Sequence, residues 1–124
     1  MSRSDVPKPP PDARAPGRAL WASIVMDYEL EQHEQVLLIE AVRTVDSLDL
    51  LDAAVRRDGP LTEGPSGTRA HPALVECRAQ RVTLARLLAS LRLPSGDVGD
   101  EKVSARPQRR SGARGVYGIR GAVS

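Results

Sequence analysis

The sequence predicts an all-α protein: a long antiparallel helical hairpin with a short N-terminal helix, a small β-hairpin-like loop between the long helices, and disordered tails. Three observations lead there. Apolar residues recur at helical spacing through two long stretches. The stretches are separated by a loop rich in Gly and Pro between Gly59 and Pro72. The apolar palette is Leu, Val, Ile and Ala, with Trp21, Tyr28 and Tyr117 as its only aromatic residues and no Phe, which suits interlocking helices better than a β-sandwich.

The first helix is expected from about Gly17 to Tyr28, where Leu20, Trp21, Ile24, Val25 and Tyr28 share one face. Glu29 to Glu31 interrupts it, and Glu34, three residues after Glu31, forms a capping-box pattern that starts the second helix with acids at its positive end. No breaker follows until Gly59, so about 27 residues at ~1.5 Å each make a rod of roughly 40 Å. Its seam is Leu37, Ala41, Leu48, Leu51 and Val55, broken in phase by Thr44 and widened by Leu38, Val42 and Val45. Asp46, Asp49 and Asp52 repeat every third residue on another flank, where a solvated face is expected ahead of metal ligation.

Gly59-Pro60 ends the rod, and Gly64-Pro65-Ser66-Gly67 reads as a tight turn between Leu61-Thr62-Glu63 and Thr68-Arg69-Ala70. Pro72 fits the first turn of a third helix, where its missing N–H costs nothing, with Ala70 or His71 as cap. That helix runs to about Arg92 on a seam of Leu74, Cys77, Leu84, Leu88 and Leu91, interrupted by Arg81 and stopped by Pro94 and Gly96.

Three segments follow from this: a Pro-rich tail over 1–16, a helical oligomerisation domain over 17–94, and a flexible Arg/Gly-rich tail over 95–124. A domain this small buries too little surface to be very stable alone, and its apolar stripe is broader than one hairpin requires. Assembly is therefore expected through Leu37, Ala41, Leu48, Leu51, Val55, Leu84, Leu88 and Leu91.

Net charge is +2, unevenly spread. Residues 1–18 carry four basic and two acidic groups, residues 19–94 eight and eleven, and residues 95–124 six and three. From Lys102 onward there is no acid, and Arg106, Arg109, Arg110, Arg114 and Arg120 stand among Gly and Ser. Such a basic tail attracts polyanions, which makes those six cations the expected contacts to double-stranded DNA; a merely solubilising terminus is the alternative. Val116, Tyr117 and Ile119 form an apolar island in it, suited to docking on a protein partner.

Catalytic constellations are lacking. Gly64 to Gly67 is followed by Thr68-Arg69 and not by the Lys-Ser or Lys-Thr of a phosphate loop. His33, His71 and Cys77 do not supply a four-ligand zinc site, and no Ser or Cys adjoins either His as a nucleophile. No enzyme activity, cofactor or metal is expected. A single cysteine, no signal-peptide pattern and no membrane-length apolar run point to the cytoplasm.

The landmarks occur in a particular order. The Trp-bearing Leu20 to Val25 is followed by Tyr28-Glu29-Leu30 with His33-Glu34, then by the centre Glu40-Ala41-Val42-Arg43-Thr44-Val45-Asp46. Gly59, His71-Pro72-Ala73-Leu74-Val75-Glu76 and Leu84-Ala85-Arg86-Leu87-Leu88 complete the series. Over roughly residues 17 to 94 this order resembles the small subunit of phage terminases, in the short all-helical branch common in actinobacterial phages and prophages. The resemblance implies a non-enzymatic DNA-packaging role in the host cytoplasm. It further implies assembly into a ring, delivery of DNA to a terminase large subunit, and a C-terminal segment that engages that subunit. The long second helix leaves no room for a helix-turn-helix, a departure from small subunits that carry a separate DNA-reading domain. Two other readings stand beside it: a small dimeric DNA-binding transcriptional regulator, and a helical adaptor that bridges proteins.

Overall fold

The computed structural model describes residues 6–94 and 107–110. Three helices carry the fold: α1 (Ala15–Val25), α2 (Gln32–Asp58) and α3 (Pro72–Leu91). Two small antiparallel ladders accompany them. The first joins β1 (Tyr28–Glu29) to β4 (Gln108–Arg109), and the second joins β2 (Leu61–Gly64) to β3 (Gly67–Ala70). The chain is thus mainly helical, as its periodicity predicts, but not purely so.

α1 begins earlier and ends earlier than its apolar spacing indicates. Pro16 stands in its first turn, where proline loses no hydrogen bond, and the N-cap residue Arg14 makes no side-chain cap. The cap comes from across the fold: Asp46, in the middle of α2, accepts hydrogen bonds from the backbone N–H groups of Arg14 and Gly17, both at 2.7 Å. Gly17 is needed for this approach, since a Cβ there would lie 2.5 Å from Asp46 Oδ2. Asp46 is only 8% exposed, which corrects the expectation of a solvated face at that position, while the side chains of Asp49 and Asp52 stay partly in water.

α2 starts with the capping box its sequence predicts: the Glu34 carboxylate accepts from the Glu31 N–H at 2.7 Å, and the Glu31 carboxylate accepts in turn from the Glu34 N–H. It ends at Gly59, whose φ of 84° suits glycine. The β2/β3 hairpin turns at Pro65-Ser66, with Gly64 opposite Gly67 and a positive φ at Gly67.

The apolar core sits at one end of the hairpin. Trp21, Ile24 and Val25 of α1 pack with Leu38, Ala41 and Val42 of α2 and with Leu91 of α3, and Leu84, Leu87 and Leu88 pad them. Chain outside the helices closes this end. Val6 packs on the core, Ala13 is buried within it, and Trp21 Nε1 donates to the Pro7 carbonyl at 3.0 Å. The segment from Val6 to Arg14 therefore belongs to the folded body, where the sequence reading has a tail over 1–16.

The C-terminal side is tied down as well. β4 pairs with β1, the Arg110 N–H donates to Asp27 O at 2.8 Å, and the Arg110 side chain donates through Nε to Val25 O at the end of α1. Arg109 lies over the Tyr28 ring at 5.1 Å. Arg110 is 8% exposed and acts as a C-terminal cap for α1, so it leaves the set of expected DNA contacts. Arg110→Ala should cost about 1–3 kcal/mol by leaving a buried carbonyl short of its donor. Arg109→Ala should cost below about 1 kcal/mol, the value of an exposed cation–π contact. Urea titration of both variants against wild type measures the two losses, and an Arg110→Ala midpoint equal to that of wild type would show that the strap adds no stability.

Candidate functional site

The acids of α2 lie along its length as a row of intramolecular staples. Asp46 holds the start of α1, Asp49 faces Arg14 at 3.8 Å, and Asp52 takes Arg81 of α3 at 3.0 Å. Cys77 Sγ, fully buried, also reaches Asp52 at 3.5 Å. Burial, then the neighbouring Asp52 carboxylate, pushes that thiol above its ordinary range, which favours its protonated form.

At the far end, Asp58 accepts from Arg57 through two bonds of 2.9 and 3.0 Å and sits 3.0 Å from His71 Nε2. His71 Nδ1 accepts from the Ala73 N–H at 3.0 Å, so the ring proton belongs on Nε2 and points to Asp58. His71 is thus the helix cap its position before Pro72 indicates. The Arg57 hydrogen bond, then that of His71, holds the Asp58 carboxyl well below the usual carboxylate range. A folded pKa lowered in this way stabilises the fold above the unfolded carboxylate value of ~3.9, and the effect is lost as pH falls through the folded value. The midpoint difference between wild type and Asp58→Ala should accordingly shrink as pH is lowered from neutral into strong acid, and shrink in high salt. A difference independent of pH would exclude this pair as its source.

Beside Asp46 a cleft of about 300 Å³ is lined by Pro10, Ala13, Arg14, Val42, Arg43, Ser47 and Leu50 among others. Its floor carboxylate is already engaged by two backbone donors. No group of His, Cys, Asp and Glu able to hold a metal occurs among the described residues, and no described helix is long and apolar enough to cross a membrane.

No protein family, curated protein or solved structure matches this chain. Its surfaces must speak for themselves.

The expected oligomerisation residues divide in two. Ala41, Leu48 and Leu91 are buried inside the single chain and cannot form a seam between copies. Leu37, Leu84 and Leu88 are partly buried and packed on the same internal core. Leu51 and Val55 are different: they lie on the distal half of α2, beyond the core, and are only half-buried. Leu74, in the first turn of α3, is also half-buried, and Leu50 and Leu61 are exposed.

Of the expected DNA contacts, Lys102, Arg106, Arg114 and Arg120 lie outside the described residues, as do the docking residues Val116, Tyr117 and Ile119. Arg109 is exposed on its aromatic support. A cationic face that sequence reading passed over lies on α3. Val75 and Val82 are 56% and 50% exposed, one heptad apart, with Arg78, Ala79, Ala85, Arg86 and Ala89 exposed around them. The inner Leu seam of α3 dominates its pattern, and the sparser outer row becomes visible only once the inner one has been assigned.

Proposed function

We propose that this chain is a non-enzymatic subunit of a phage DNA-packaging machine, of the terminase small-subunit kind. Its copies assemble into a ring that binds double-stranded DNA and presents it to a large subunit, in the cytoplasm of a bacterial host. The ordered landmarks described above supply the family reading.

The observation that carries self-assembly is the uneven cover of the hairpin. α1 and the two terminal segments wrap one end, and every α2 residue of the apolar core cluster precedes Arg43. The remaining length of α2 meets the start of α1 at Asp46 and Arg14 at Asp49 and then runs on to Asp58, where Leu51 and Val55, like Leu74 of α3, are half-covered. Apolar surface of this kind is worth ~25 cal/mol for each Å² removed from water, and a second copy is the simplest source of cover. The charge logic is compatible with a DNA-bound assembly, since four acids of the body, Asp46, Asp49, Asp52 and Asp58, are engaged within the chain by α1, Arg14, Arg81, Arg57 and His71.

Light scattering on the full chain tests the reading. A mass well above that of a dimer is expected, and it separates a ring from a dimeric regulator. A monomer at high micromolar concentration would defeat the proposal.

A further inference from the structure

We propose that the outward face of α3, centred on Val82 and flanked by Arg78 and Arg86, seats in the major groove of duplex DNA. This deepens the DNA-binding reading above and rests on it. The face is acid-free for most of its length: after Glu76, no Asp or Glu occurs from Cys77 to Arg92. Arg81 is engaged by Asp52, whereas Arg78 and Arg86 have no carboxylate within ion-pair distance among the described residues. Two guanidinium groups are thus held on one helix face with no carboxylate partner among the described residues.

Spacing and size favour a groove. Arg78, Val82 and Arg86 are separated by four residues each, and at ~100° per residue the two arginines fall on either side of Val82. Along the axis they are roughly 12 Å apart, comparable to the ~12 Å width of the major groove. Between and beyond them stand Ala79, Ala85 and Ala89, all exposed, whose small side chains let the helix backbone come close. Val75 and Val82 offer apolar contact of the kind that suits thymine methyl groups.

Other occupants fit less well. A second copy of the same face would bring Arg78 and Arg86 against their own counterparts, an arrangement opposed by like charge. Single strands are gripped by aromatic platforms, and α3 contains no aromatic residue. Double-stranded RNA presents a major groove too deep and narrow for a helix. Arg109, Lys102, Arg106, Arg114 and Arg120 would then add backbone attraction to a body that already carries its own contact surface.

The test is fluorescence anisotropy of the full-length chain on a mixed-sequence duplex, run across a salt series. Arg78→Gln/Arg86→Gln should weaken binding by about tenfold or more and reduce the slope of log K against log salt by about 2. Val82→Glu, which adds an acid to the centre of the face, should weaken binding at least as much. Arg56→Gln, at another exposed arginine with no ion pair among the described residues, should leave affinity within about twofold. Circular dichroism and light scattering on each variant confirm that fold and mass are retained. A wild-type chain that binds no duplex even at low salt would overturn both this assignment and the DNA-binding role. Wild-type binding with an undiminished double variant overturns the α3 assignment alone, as does a double variant that keeps its DNA affinity but loses oligomer mass.

Discussion

Asp46→Ala should lower the thermal midpoint of this protein by roughly 10 °C or more, because the Arg14 and Gly17 N–H groups lose their acceptor at ~1–3 kcal/mol each, and 1 kcal/mol moves a small domain by ~4–8 °C. Asp46 is 8% exposed and its two bonds reach back 32 and 29 residues along the chain, so its removal should unpin α1 from the hairpin and do more than fray one turn. Asp46→Asn should fall between wild type and alanine, since its one oxygen can accept while its amide nitrogen meets the other donor. Gly17→Ala should be damaging from the opposite side, placing a Cβ 2.5 Å from Asp46 Oδ2. All scans belong at one protein concentration, because assembly would couple the midpoint to it. Identical midpoints for wild type and Asp46→Ala would remove Asp46 as the organiser of α1.

Leu51→Asp should reduce the assembled protein to its single chain while the helical circular-dichroism signal persists. Leu51 is half-buried on the distal arm, so in the lone chain the new carboxylate can reach water. In an assembly, the same carboxylate would be driven into apolar cover at a cost of several kcal/mol. Leu48→Asp is the contrasting change. Leu48 is already buried within the chain, and a charge there should unfold it. A Leu51→Asp protein that keeps the wild-type mass by light scattering would place the assembly seam elsewhere.

Much of the architecture was legible because it rests on local chemistry. The span of α2, its Glu31/Glu34 capping box, the glycine stop at Gly59, the two-residue turn of β2/β3 and the His71-Pro72 start of α3 each depend on residues within a few positions of one another. The seam of α2 was read correctly as apolar but not correctly apportioned, because helical spacing identifies a face without naming its neighbour. Ala41, Leu48 and Leu91 match the pattern of an interface between copies as well as that of an internal core. Only the position of α1 and the antiparallel course of α3 separate them from Leu51 and Val55.

The ends of the chain misled for a related reason. Pro-rich residues 6–14 and Gln108–Arg109 lack helical periodicity and carry charge, which is the composition of a tail. Their order comes from distant acceptors: Pro7 O for Trp21, Val25 O for Arg110, and the Tyr28 ring for Arg109.

By itself, then, the sequence determined the helical class, the hairpin, its caps and its stops, since these follow from propensity and hydrogen bonding over a turn or two. Tertiary structure alone decided which half of the hairpin is covered and which carboxylates are consumed as staples. It likewise decided which arginines remain available on α3. Those outcomes depend on contacts between residues some thirty to eighty-five positions apart, and no periodicity along the chain records them.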